Sequence, residues 1–198
     1  IISKPSKHLS LWKKYFKDNQ QLIDPALTEI KKIIGLSAFN ISEVPIYLSI
    51  DTIHADKEID AWFSWTPKKS FITIEIPENL KIPNNNFVLS ILMHEFFHLM
   101  LRKNKILFPE IERISKNNKL ITKLADGMPN KMFFEELFIS SFIPEGYISE
   151  KYFNIKIKKF NKKPKDLIDW RKLVAYKMGS ISKEYFEKRK PIDKKYLN

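Results

Sequence analysis

The chain has 198 residues, 43% of them hydrophobic, no cysteine and a formal net charge of +12. That apolar content suffices for one core, divisible by a cleft into two lobes, and excludes several independent domains. Lack of thiols excludes disulfides, thiolate metal sites and cysteine nucleophiles, and no apolar run approaches a membrane-spanning length.

The charge is uneven. Residues 151–198 carry 16 Lys/Arg against 5 Asp/Glu, a net +11, whereas the first 150 carry 19 against 18. The ordinary reading is a solvated helical surface; the sharper one is a surface for anionic lipid or an acidic partner. Nucleic acid is the weakest partner class, because the cations are nearly all Lys and no recognised binding motif accompanies them. The chain opens on Ile1, which a removed leader, a trimmed chain or a longer parent would each produce. No leader pattern decides among these, and export is the expectation.

In chain order, "KHLSLWKKYFKDNQQLIDPALTEIKKIIG" has helical apolar spacing and predicts two helices ending at Gly35, with a break near Asp24-Pro25. Val44–Ile50, Ala61–Pro67 and Ser70–Pro77 predict strands, the last two joined as a hairpin through "KK". Asn84–Asn86 supply an N-cap for a helix over Phe87–Lys103. Further helices are predicted over Pro109–Leu124, Lys131–Phe142 and Asp166–Arg189, with Pro144 and Pro191 following the last two. Helices, a small antiparallel or mixed sheet, then mostly helices is an α+β order rather than a doubly wound one. We expect one domain, with an upper lobe of about residues 1–103 and a helical lower lobe of about 104–198.

The predicted 87–103 helix contains "ILMHEFFHLML", in which His94, Glu95 and His98 interrupt an apolar run. Burying titratable groups without partners is costly. Residues i and i+4 share a helix face, so His94 and His98 can bring two ring nitrogens to one ion. Glu95 is rotated off that line, beside the ion, where it can take a proton from activated water. Catalytic zinc needs three protein ligands and an open position.

This segment resembles the active-site helix of zincin metallopeptidases. The resemblance implies one zinc ion bound by His94 and His98, Glu95 as general base, and hydrolysis of peptide bonds in a protein or peptide substrate. Metzincins extend the motif to a glycine and a third histidine, but Leu101 and Asn104 stand there. Peptide deformylases use a cysteine, which is lacking. The remaining common solution is the gluzincin one, a glutamate from a later helix.

Glu110 and Glu112 lie in an ordinary amphipathic segment. Glu135 and Glu136, in "MFFEELFISSF", repeat the oddity of carboxylates where a core is expected. Glu136 shares its helix face with Met132, Phe133, Ile139 and Ser140, with no charge along the stripe. It is the expected third ligand, with Glu135 the alternative. Many gluzincins carry an Asp four residues after the ligand; here Ser140 stands there, able to give a supporting hydrogen bond.

The resemblance further implies an edge strand that pairs with substrate and a Tyr or His at the developing oxyanion. "SFITIEI" is the strand candidate, and Tyr147 and His54 are the side-chain candidates, against the plainer readings of an interior strand, a turn tyrosine and a surface histidine. His8 is expected to face solvent. The competing reading from another class is a metal-binding regulatory or interaction protein with little peptidase activity, acting through its basic C-terminal surface.

Overall fold

A computed structural model of the chain describes residues 7–52, 59–66, 69–82, 86–125, 127–188 and 190–197. The first two helices are α1 (Lys7–Asp18) and α2 (Gln20–Ile34). The break between them falls at Asn19, not near Asp24-Pro25. The Asn19 side-chain amide donates to the Tyr15 carbonyl, while its own carbonyl accepts from Leu22 and Ile23. Pro25 is carried inside α2, whose buried stripe of Ile23, Ala26, Leu27, Ile30, Ile33 and Ile34 outweighs one lost backbone bond. Gly35, at φ 77°, closes the helix in the left-handed conformation that an L side chain resists.

The strands are β1 (Ile46–Asp51), β2 (Asp60–Trp65) and β3 (Ser70–Pro77), in the order β1-β3-β2. β1 runs parallel to β3, with Ile46 opposite Ile72, and β2 runs antiparallel, with Phe63 opposite Ile72. The expectation that "SFITIEI" is an edge strand is therefore overturned. β3 is central, and its Ile72, Ile74 and Ile76 are fully buried against the helices. β1 and β2 form the two edges instead.

Helix α3 (Phe87–Lys103) has the predicted limits. Asn86 precedes it but is not a side-chain cap; at φ −90° and ψ 19° it is not extended, and only its carbonyl receives Leu89 and Ser90 N–H groups. The helix expected over 109–124 is two, α4 (Leu107–Asn117) and α5 (Lys119–Leu124). Asn118 divides them by accepting the amides of Leu120 and Ile121 through its side chain. α6 (Asn130–Ser140) is followed by α7 (Tyr147–Phe153), which the sequence pattern did not suggest. α8 (Leu167–Glu187) is capped by Asp166, and α9 (Lys194–Leu197) ends the described chain.

The fold is thus α+β with a three-stranded mixed sheet. The main core runs from Trp12 through Ile30, Ile74, Phe97 and Phe142 to Phe186 and Tyr196, and a second, small cluster joins Ile121, Ala125 and Phe133. α3 lies at its centre, packed on β2 and β3 on one side and on α2, α6 and α7 on others. Among the described residues no helix is long and apolar enough to cross a membrane.

Candidate metal centre

α3 is buried almost all round, so its polar residues meet neighbouring elements rather than water. His94, Glu95 and His98 are 5%, 6% and 5% exposed. One turn spacing brings the Nε2 atoms of His94 and His98 to 3.0 Å. From α6, Glu136 places Oε1 2.9 Å from His98 Nε2 and Oε2 3.3 Å from His94 Nε2. One ligand atom from each of the three residues lies within 4.8 Å of the others, a grouping able to hold a metal ion.

The outer ring nitrogens define the tautomers. His94 Nδ1 lies 3.1 Å from the Ile143 carbonyl, which can only accept, so Nδ1 carries the proton. His98 Nδ1 lies 2.9 Å from Glu135 Oε1. Arg102 grips that same carboxylate, its Nε donating to Oε1 at 3.1 Å and its Nη2 to Oε2 at 2.7 Å. Glu135 is therefore an ionised acceptor, and it too leaves a proton on Nδ1. Both Nε2 atoms are turned towards one point beside the Glu136 carboxylate, where a proton or a cation offsets the crowding of electron-rich atoms.

Glu135 and Glu136 are thus separated in role by geometry. Glu136 alone has oxygens within reach of both Nε2 atoms; Glu135 sits behind His98. Ser140, one turn after Glu136, accepts from Arg171 Nε at 2.9 Å. Arg171 Nη1 reaches Glu136 Oε2 at 3.6 Å, and its Nη2 bonds Glu145 at 3.2 Å. Ser140 therefore supports the carboxylate through an arginine from α8, not through a histidine.

β2 covers the site from above. The Phe63 ring stacks on the His98 imidazole, with centroids 5.1 Å apart and planes 13° from parallel, and the Phe63 main chain lies beside the Glu95 carboxyl and favours its charged form. Glu95 opens with His94 and Glu136 onto a cleft of about 560 Å³ between the start of β2, with Asp60 and Ala61, and α8, with Ile168, Arg171 and Lys172.

The electrostatics follow from burial and these partners. Burial pushes Glu95 up to about 7. It lowers His94 to about 4, against the bond to Glu136. Burial works against charge on His98 too, but hydrogen bonds to Glu135 and Glu136 push it up to about 9. Glu136 resists burial in the same way, and its bonds to the two histidines hold it well below the usual carboxylate range. The carboxylates thus favour positive charge where the ligand atoms meet.

Other candidates fall elsewhere. The Tyr147 hydroxyl donates to Glu187 at 2.8 Å, away from the cleft lining, and burial and that carboxylate raise its pKa. His54 lies outside the described residues. His8 is half-buried, not solvent-facing, and accepts from the Trp12 indole at 3.3 Å. Glu110 pairs with Arg113, and Glu112 with Lys131. Sequence reasoning missed Phe63, Arg102 and Arg171. Arg102 carried a signal: it continues the i, i+4 row from His94 and His98. Phe63 and Arg171 come from distant elements and carried none. Comparison with protein-family models, curated proteins and solved structures found no match.

Proposed function

We propose that the chain is a zinc-dependent metallopeptidase of zincin architecture and gluzincin type, with His94, His98 and Glu136 holding one zinc ion and Glu95 as general base. The supporting observation is the convergence of the two Nε2 atoms and the Glu136 carboxylate within 2.9–3.3 Å of one another. Ligands held about 2.0–2.1 Å from a tetrahedral zinc sit about 3.3 Å apart, so the residues fit the ion. Both histidines have their outer nitrogens anchored, the arrangement that fixes a metal-binding tautomer.

When bound, zinc supplies Lewis acidity: it acidifies water and polarises a carbonyl. The chain's own groups do the rest. Glu95, on the cleft wall beside His94 and Glu136, is placed to accept a proton from the attacking water and return it to the leaving amine. β2, whose first residues line the cleft, is the strand against which an extended peptide would pair. In this reading the sheet and α3 form the upper lobe and the later helices the lower.

The test compares native chain with Glu95→Gln for bound metal and for turnover of casein and a broad peptide library. Both should hold one equivalent of zinc, and Gln should slow cleavage about 10²–10⁴-fold. Zinc-loaded native chain that cleaves no peptide would favour a metal-binding regulatory protein working through its basic surface. The exposed lysines at 156, 158 and 159 speak for that second reading. The presence of Glu95 speaks against it, because metal binding alone needs no base.

A further inference from the structure

The cleft does not end at the ligand cluster. Phe87, Pro144, Glu145 and Lys172 also line a second groove of about 250 Å³, so the two spaces adjoin across these four side chains. The far wall of this groove is the segment 155–160, which forms neither helix nor strand. Its side chains sort themselves. Ile155, Ile157 and Phe160 are half-buried, whereas Lys156, Lys158 and Lys159 are exposed. An apolar floor is thereby rimmed by ammonium groups, with Lys172 contributing from α8.

Lys151 and Lys162 are paired, with Glu29 and Asp169. Among the described residues Lys156, Lys158 and Lys159 make no ion pair, and their main chain enters no backbone hydrogen bond. The carboxylate in the groove, Glu145, is bonded to Arg171. The groove therefore holds uncompensated positive charge beside backbone groups open to pairing.

We propose that this groove extends the substrate site and takes an extended peptide segment of alternating apolar and acidic residues on one side of the cleaved bond. Apolar side chains would enter the floor, carboxylates would meet the lysine rim, and the main chain of Lys156, Lys158 and Lys159 would supply pairing partners, the Ile157 N–H being taken by Glu150. A concave, apolar-floored groove adjoining the candidate catalytic cleft suits a single peptide strand. A lipid surface would be met by an exposed apolar face rather than a recessed floor, and a nucleic-acid strand would need a stacking ring for each successive base, whereas this floor sets aliphatic Ile155 and Ile157 beside Phe160. The term substrate rests on the peptidase reading; the binding does not.

The probe is a fluorescein-labelled twelve-residue peptide of alternating Val and Glu, with its Gln counterpart, titrated against the whole 198-residue Glu95→Gln chain so that turnover is too slow to consume it. The Glu peptide should bind at least tenfold more tightly, with the advantage shrinking as salt rises. Lys156→Glu/Lys158→Glu/Lys159→Glu should abolish that preference. The charge-matched control Lys13→Glu/Lys17→Glu/Lys123→Glu should keep it. Should the first variant fail to fold by circular dichroism, the neutral Lys156→Gln/Lys158→Gln/Lys159→Gln should lose most of the preference. Equal binding of the two peptides, or equal loss in the control, overturns the proposal. So does tighter binding of single-stranded DNA or phosphatidylserine vesicles that the 156/158/159 reversal removes. Preferred binding of the Glu peptide without turnover by native chain would uphold the groove and remove only the peptidase reading.

Discussion

Glu135 and Glu136, adjacent in sequence, hold His98 from opposite sides of its ring. Glu135 Oε1 is 2.9 Å from Nδ1, and Glu136 Oε1 is 2.9 Å from Nε2. Consecutive helical residues point about 100° apart, so one imidazole inserted between them meets both. The two carboxylates also differ in surroundings: Glu135 is 1% exposed behind Arg102, whereas the Glu136 side chain is 21% exposed at the cleft.

That geometry predicts unequal losses. Glu136→Gln should remove a ligand and reduce zinc affinity to the level of a two-histidine site. Glu135→Gln should leave the ligands in place and weaken zinc by about 10–100-fold, the usual cost of losing an outer-shell partner. Competition against a chromogenic chelator measures both. Equal losses at the two positions would contradict the division of roles.

Arg102 is tied to Glu135 by two bonds and also lies over the Phe108 ring, 4.5 Å from its centroid. Arg102→Met would leave a buried carboxylate without its counterion, at a cost of about 3–5 kcal/mol. Combining it with Glu135→Gln removes the stranded charge, so the double variant should be more stable than Arg102→Met alone. Urea unfolding of the four chains completes the cycle. Strict additivity would mean that the pair is uncoupled.

How much of this was legible beforehand depends on how locally each feature is encoded. His94, Glu95 and His98 are brought together by one helix, and the 3.6-residue period places them without tertiary information. Glu136 required a second helix, but its apolar surroundings marked it. The order of the strands could not be read. The β2–β3 hairpin is local, whereas the parallel pairing of β1 to the far side of β3 is a tertiary outcome, and it turned an expected edge into a centre. The break at Asn118 was missed because the apolar stripe continues across it while a side-chain cap interrupts the backbone. Arg171 reaches Glu136 from 35 positions downstream, and no periodicity links them.

Arg171 bridges Ser140, Glu136 and Glu145, and we expect it to act as a positioning residue for the third ligand. Arg171→Met should weaken zinc binding, because it strips the counter-charge from Glu136 and leaves Glu145 unpaired. Arg171→Lys should rescue only part of it: an ammonium cannot reproduce the separate Nε and Nη2 bonds. Ser140→Ala should give a smaller loss in the same direction. Zinc titration of the three variants at equal foldedness is the measurement, and unchanged affinity in Arg171→Met would remove the assignment.

The carbonyl that orients His94 belongs to Ile143, in the turn between α6 and α7, and Gly146 lets that turn close. A Cβ at Gly146 would collide with the main chain of Ser141 and Phe142, which has no flexible end to move aside. The same turn is held by the Ile148 amide on the Phe142 carbonyl at 2.9 Å and by the Ser141 hydroxyl on Tyr196. Gly146→Ala must therefore open the turn and displace the Ile143 carbonyl from His94. Gly179, inside α8, offers the contrast. A Cβ there meets only the Ile157 Cδ1 atom, at 3.3 Å, the tip of a side chain that can rotate. Helix propensity favours Ala at Gly179 by about 0.5–1 kcal/mol. Gly146→Ala should lower the melting temperature by several degrees, at about 2–4 °C per kcal/mol for a chain of this size, and weaken zinc binding as well. Gly179→Ala should be neutral to slightly stabilising, with zinc affinity unchanged. Thermal melts and zinc titration of the two variants side by side make the check. A Gly146→Ala chain with native stability and native zinc affinity would mean that the Ile143 carbonyl is not held by the closeness of this turn.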